Sequence, residues 1–160
     1  PEMYNYQVLK KYITDTIDKA KGIVDDRYVA PVARGLEKLN EIITMMSKQL
    51  QEGKFIALVA NATPLQQAMF PLIVAWLHLW SLTITLPKSR ALVGDAKGAD
   101  RKKILDDNDE AAYYSGRVLS SQFFIGAEFP KFFGRAEAIL FGETAPVKAS
   151  DAVFTGAPLE

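Results

Sequence analysis

The chain has 160 residues, of which 49% are hydrophobic, and this excludes a disordered polypeptide and allows one domain with a sizeable core. Lys plus Arg and Asp plus Glu both number 19, so the net charge is zero and no basic field favours a nucleic-acid partner. The absence of cysteine excludes disulfides and thiolate metal sites and fits a cytoplasmic location. The chain starts with Pro1, which suggests a segment of a longer polypeptide.

The first predicted helix covers Met3 to Lys21, where apolar residues recur at helical intervals and charged residues fill the other positions. This pattern indicates an amphipathic helix that presents one face to a core. Gly22 and the following run DDRYVAP, which ends at Pro31, then predict a turn. An extension of the helix through Val24 is the alternative.

A heptad seam predicts the second helix, because apolar residues step by four and three alternately over nearly three repeats. Such a seam requires a neighbouring helix, which an intramolecular bundle supplies. The helix either ends at Gly53 or continues through Phe55 to Ala60. The seam residues are Val32, Leu36, Leu39, Ile43, Met46 and Leu50.

The third predicted helix is the segment Thr63–Leu86, which lies in a run without any charged residue between Lys54 and Lys88. Its first residue is predicted as the N-cap, followed by Pro64 at the first helical position and by Gln66, which closes a capping box. Pro71 is predicted to kink the helix.

Lipid and protein are the two possible covers for this apolar helix. About 20 apolar residues are enough to span a bilayer. Polar residues interrupt this run and no basic cluster flanks it, which favours a helix sheltered by the chain's other helices and argues against a transmembrane span. The interrupting residues are Gln66, Gln67, Pro71, His78, Ser81, Thr83 and Thr85.

The rest of the chain is predicted as a mobile connection, a last helix and a tail. The connection follows Lys88 and contains Gly94 and Gly98. The last helix extends from Asn108 to Phe141, and Pro130 is predicted to kink or split it. At 100° per residue its aromatic side chains point in nearly every direction, so part of this surface is expected to meet another domain or subunit.

The predicted fold is therefore all-α: a four-helix up-and-down bundle with a kinked central apolar helix and a kinked last helix. The bundle domain is assigned to residues 1–142 and the tail to residues 143–160. Val153 and Phe154 are expected to pin the tail to the bundle.

No catalytic, cofactor-binding or metal-binding residue is predicted. His78, the only histidine, has no carboxylate close in sequence to orient it, so we expect a buried, hydrogen-bonded side chain and not a general base. The acidic run Asp106–Glu110 lacks the glycine and glutamate of a calcium loop, which would stand where the chain has Ala111 and Arg117, and helix capping explains it better.

Three other features have a structural explanation. Gly94 and Gly98 do not form a phosphate-binding loop, because neither follows a strand. The basic triplet Arg101–Lys103 is expected to be a solvated face. Arg117 lies on an otherwise apolar helix, and we expect it to pair with an acid across the bundle.

The last helix resembles the closing helix of the C-terminal domain in long bacterial acyl-CoA dehydrogenases. The string AAYYSGRVLSSQFFIGAEFPKFFGRAEAI has an aromatic pair, a basic residue three positions on, small residues, a second aromatic pair and a proline, in that order. Arginine stands where the family commonly has lysine. The matching residues are Tyr113, Tyr114, Arg117, Ser120, Ser121, Phe123, Phe124 and Pro130.

The resemblance implies a flavoprotein as the parent enzyme, which removes hydrogens from Cα and Cβ of an acyl-CoA thioester with a glutamate base and FAD as hydride acceptor. Its catalytic domains would lie upstream of this chain. The chain itself would then be a non-catalytic accessory domain without FAD, inactive alone, that packs on those domains and across a homodimer.

Two other functions are compatible with the sequence. One is a free-standing interaction module that uses the Val32–Leu50 seam or the Phe-rich last helix as a partner groove. The other is a membrane-surface protein that inserts the segment Phe70–Leu86.

Overall fold

The computed structural model describes residues 4–150 and 152–153, and within them every regular element is a helix. The all-α class is thereby confirmed. A π-helical turn, Phe124–Glu128, joins the fifth helix to the sixth. The α-helices are α1 Tyr4–Ala20, α2 Asp26–Gln51, α3 Phe55–Val93, α4 Gly98–Asp107, α5 Asp109–Phe123, α6 Lys131–Phe141 and α7 Ala145–Lys148.

The long helix α3 is the centre of the fold, because α1, α2, α5 and α6 all pack against it. The predicted four-helix up-and-down bundle is not confirmed. The described residues form an additional helix, α4, and they divide the last helix into α5 and α6.

Helix α2 starts earlier than predicted. Asp25 caps it, since the carboxylate accepts a hydrogen bond from the backbone N–H of Arg27 at 2.9 Å. The prediction of a turn up to Pro31 is therefore wrong, and this proline lies inside the helix. Burial of Val29 and Val32 on either side of the proline offsets the backbone hydrogen bond that its ring removes.

The heptad seam of α2 is buried in its first half only. Leu36 and Leu39 lie in the core, but Ile42 is buried where the seam predicts Ile43, and Leu50 is exposed. In the second half of α2, Ile43 and Met46 are partly buried against the core, and the end of the helix lies beside the first turns of α3. Gly53 adopts a positive φ of 72° between the two helices, so α2 ends before it.

Helix α3 begins at Phe55, so the predicted N-cap and capping box at residues 63–66 are wrong. Three prolines lie inside the helix. Pro71 has no N–H for the carbonyl of Gln67, and Nη1 of Arg135 on α6 donates to that carbonyl at 3.0 Å. A tertiary contact thus replaces a helical bond, and the predicted kink at Pro71 stays a prediction.

The connection after α3 is shorter than predicted. Helix α3 continues to Val93, and α4 begins at Gly98, so residues 94–97 alone join the two helices. The prediction of a mobile connection through residue 107 is wrong. Mixed charges do not prevent a helix here, because Lys102 pairs with Asp106 one turn further on.

The last helix is divided, as predicted. The backbone N–H of Phe129 bonds the carbonyl of Phe124 at 2.8 Å, five residues back, and Pro130 follows directly. A proline cannot donate to the ladder, so the π turn ends one helix and α6 starts anew at Lys131.

Gly142 ends α6 with a positive φ of 70°. The domain boundary at residue 142 stays a prediction, and the short helix α7 lies in the segment that was predicted as a tail. Val153 is exposed, which argues against its role as a pin, and Phe154 lies outside the described residues.

Candidate interaction surfaces

His78 is a half-buried side chain between α3 and α5. Its Nδ1 lies 3.1 Å from Oγ of Ser121, and its ring stacks on Phe124 with 4.8 Å between ring centroids. The predicted hydrogen bond is confirmed, although the burial is only partial. Burial lowers the pKa of His78, and the charge of Arg117 lowers it further, so the neutral imidazole is favoured.

The stability of the chain is expected to fall as the pH drops below the ordinary histidine pKa of 6.5. Below that value the unfolded chain binds a proton at His78 that the folded chain binds less readily. The contribution of His78 to the free energy of unfolding is complete above this pH, and it is lost as the pH falls through the lower pKa of His78 in the folded state. Urea unfolding at a series of pH values measures it.

The matched control for this prediction is His78→Asn. Asparagine either donates or accepts at the position that faces Ser121, but it does not titrate in this range. Its stability should therefore change less steeply with pH than that of the original chain. Equal slopes in the two proteins would contradict the assignment.

Arg117 does not form the predicted ion pair. It is exposed on α5, and no carboxylate among the described residues lies within ion-pair distance of it. The prediction of a partner across the bundle is wrong. Arg117 lies close enough to His78 for its positive charge to lower the pKa of that imidazole.

Helix capping explains the acidic run before α5. Oδ1 of Asn108 accepts a hydrogen bond from the backbone N–H of Ala111 at 3.0 Å, and Asp109 and Glu110 occupy the first turn. Within the described part of the chain, no group of three His, Cys, Asp or Glu side chains is arranged to hold a metal ion.

The first exposed apolar surface lies at the end of the α2–α3 hairpin, and we call it the hairpin groove. It encloses about 600 Å³ between the two helices. Phe55, Ile56 and Val59 are exposed near it at the start of α3. The lining residues are Ile43, Met46, Ser47, Leu50, Gln51, Leu58 and Leu65.

The second exposed apolar surface runs along the outside of α3, and we call it the outer stripe. The companion helices shelter this apolar helix only in part, because 33% of its most apolar window is buried. The buried side of α3 instead carries Ala68, Leu72, Ala75, Leu79 and Leu82. The outer stripe consists of Phe70, Ile73, Leu77, Trp80 and Ile84.

An aromatic cleft of about 430 Å³ separates α1 from α3. Nε1 of Trp76 donates to Oγ1 of Thr16 at 2.8 Å, which fixes this indole, while Trp80 stays half exposed. The cleft is lined by Tyr12, Asp15, Thr16, Lys19, Trp76 and Trp80.

Sequence reasoning missed the outer stripe, although a signal for it existed. Phe70, Leu77 and Ile84 are seven residues apart, whereas small alanines occupy positions on the buried side. A helix that is apolar all round gives no polar side to mark the solvent. The spacing of large and small apolar residues carried the information instead.

Helix α3 is long and apolar enough to cross a membrane by length and composition. Core helices of soluble proteins pass the same test, so the observation is weak evidence for a span. The predicted absence of a transmembrane span stays a prediction.

The described residues define a helical domain in which several large apolar side chains stay exposed outside the core. Residues 9–149 match the family described as "Acetyl-CoA dehydrogenase C-terminal like". The chain belongs to this family, and the resemblance carried by its last helix is confirmed. Comparisons with curated proteins and with solved structures gave no match.

Proposed function

We propose that the chain is a non-catalytic accessory domain of an FAD-dependent, cytoplasmic acyl-CoA dehydrogenase, which oxidises the Cα–Cβ bond of acyl-CoA thioesters. The domain packs on the catalytic part of the same polypeptide and across a homo-oligomer. Membership of a family named for the C-terminal region of such enzymes supports the parentage.

The hairpin groove is the observation that carries the packing role. Ile43, Met46 and Leu50 form one wall of it, and Leu58 and Leu65 form the other. Binding of another apolar surface in this groove is favourable, because each Å² of apolar surface removed from water stabilises the complex by about 25 cal/mol. A convex apolar element of the catalytic part fits this shape.

The residues of this chain do not fit FAD. An isoalloxazine ring would stack in the aromatic cleft, beside Tyr12 and Trp80. The carboxylate of Asp15 at that cleft is already paired with Lys11, and the described residues include no strand followed by a glycine-rich turn that would cradle the pyrophosphate of the cofactor. FAD, and the hydride acceptance that it supplies, are therefore assigned to the catalytic part.

The complete reading frame tests the proposal. The polypeptide that it encodes should purify with FAD and oxidise acyl-CoA, whereas the 160-residue chain alone should do neither. Leu50→Glu should weaken association between the chain and the separately produced catalytic part by at least about 10-fold, because it places a charge in the hairpin groove. Titration calorimetry measures this association.

Leu119→Glu is the matched control, since Leu119 is an exposed leucine on α5 outside the groove. Equal weakening by the two substitutions would contradict the role of the hairpin groove. Stoichiometric FAD binding by the chain alone, or a reading frame without a flavoprotein upstream, would contradict the parentage. The latter result would favour the free-standing interaction module.

A further inference from the structure

We propose that the outer stripe of α3 is a self-association surface, on which a second copy of the chain docks through the same residues in antiparallel orientation. This inference rests on the homo-oligomer of the proposed function and names its contact surface. The hairpin groove is left for the catalytic part.

The outer stripe has the spacing of a two-helix seam. Phe70, Leu77 and Ile84 repeat every seven residues, and Ile73 and Trp80 lie between them at steps of three and four. Phe70 is 68% exposed, Trp80 is 48% exposed, and Leu77 and Ile84 are each 43% exposed. A seam of this kind, open along its length, is complementary to another helix.

The stripe is complementary to its own reversed copy. A two-fold axis between Leu77 and Trp80 places each Leu77 opposite Trp80 of the second copy, and each Ile73 opposite Ile84 of the second copy. Large apolar side chains meet in these central layers, and each Phe70 lies opposite Pro87 of the second copy, so the contact is isologous. No charged residue lies between Lys54 and Lys88, so the antiparallel helices bring no like charges together.

The exposed area approaches what a stable dimer needs. Tyr12 is 58% exposed and borders Trp80 across the aromatic cleft. With aromatic side chains of 150–250 Å² each, Tyr12, Phe70 and Trp80 alone expose roughly 350 Å². This is more than half of the ~600 Å² per partner at which specific interfaces begin. The aliphatic stripe residues supply much of the remainder.

The charges beside the stripe favour protein over a bilayer. Surface-binding helices carry lysine and arginine along the edges of their apolar face. At the aromatic cleft, Asp15 pairs with Lys11, so Lys19 is left, among the described residues, as a single unpaired charge of the lining and not as part of a basic edge. A neutral, self-complementary seam fits a second copy better than an anionic membrane.

The test uses sedimentation equilibrium of the 160-residue chain. The original chain should be a dimer. Leu77→Glu and Leu77→Lys should each weaken dimerisation by about 100-fold or more, because unpaired like charges are buried on either side of the two-fold axis. A 1:1 mixture of the two variants should dimerise again, since opposite charges then lie diagonally across the two-fold axis from each other.

Leu119→Glu is the matched control, because Leu119 is 63% exposed on α5 and lies outside the stripe. This variant should stay dimeric. Circular dichroism should show unchanged helicity in all variants, and Ile84→Glu provides a second stripe variant if a Leu77 variant unfolds.

Three outcomes would overturn the inference: a monomeric original chain, a dimer that survives Leu77→Glu, or a mixture of the Leu77 variants that stays monomeric. Flotation of a monomeric chain with phosphatidylcholine–phosphatidylglycerol vesicles, lost in Leu77→Glu, would assign the stripe to a membrane surface instead. If the reading frame encodes a flavoprotein but the chain is monomeric, only the self-association proposal fails. If the chain is dimeric but no flavoprotein lies upstream, only the proposed parent enzyme is wrong.

Discussion

Replacing Phe129 with alanine is expected to lower the free energy of unfolding by about 3–5 kcal/mol. The side chain is 0% exposed and stands at the end of the π-helical turn. It stacks on Phe132 with 5.3 Å between ring centroids, and Phe133 lies against it at 5.5 Å. Alanine would leave a cavity that these rings and α2 cannot fill. Urea unfolding followed by circular dichroism measures the loss.

Phe123→Ala is the matched control for this prediction. Phe123 is a phenylalanine of the same closing region, but its side chain is exposed. Its removal should change the free energy of unfolding by no more than about 0.5 kcal/mol. Similar losses for the two variants would contradict the division of the closing helices into a buried and an exposed set of aromatic residues.

The sequence predicted that one core cannot cover all these rings, but not which of them it covers. A periodic pattern of hydrophobic residues is recognised mainly from large apolar side chains, whereas closely packed helices also bury small residues. The buried side of the closing helices mixes the two kinds of residue. It includes Ala111, Ser115, Val118, Ser121, Ile125, Phe129, Phe132, Ala136 and Ile139.

The predicted helix boundaries failed at proline and at charged segments. Local rules place Pro64 at a helix start, because its missing N–H has no consequence there. In the structure α3 passes through both Pro64 and Pro71, and Arg135 satisfies a carbonyl that Pro71 leaves free. That bond joins residues 68 positions apart, which no local pattern contains.

The interaction surfaces were predictable only as a surplus of apolar residues. The seam of α2 indicated a neighbouring helix, and the structure supplies one for its first half. The second half, with Met46 and Leu50, opens into the hairpin groove. Spacing identifies which face of a helix is apolar, but the number of faces that a core can cover depends on how all helices pack.

Gly35→Ala is expected to destabilise the chain by about 1–3 kcal/mol, although alanine is the better helix former by about 1 kcal/mol. A Cβ at this position would lie 2.6 Å from Cζ of Phe129 and 2.9 Å from Cδ1 of Leu72. Both partners are fully buried, so neither ring nor methyl group has free space to move into. Chemical unfolding of the variant measures the net loss.

A double-mutant cycle with Phe129→Leu tests whether this clash is the cause. Leucine removes the ring atoms that a Cβ at Gly35 would meet, so Gly35→Ala should be less harmful in that background by about 1 kcal/mol. Gly116→Ala on α5 is the control, because a Cβ there meets nothing within 4 Å. It should be neutral or stabilising. Stabilisation by Gly35→Ala, as expected for Gly116→Ala, would contradict the close contact between Gly35 of α2 and Phe129.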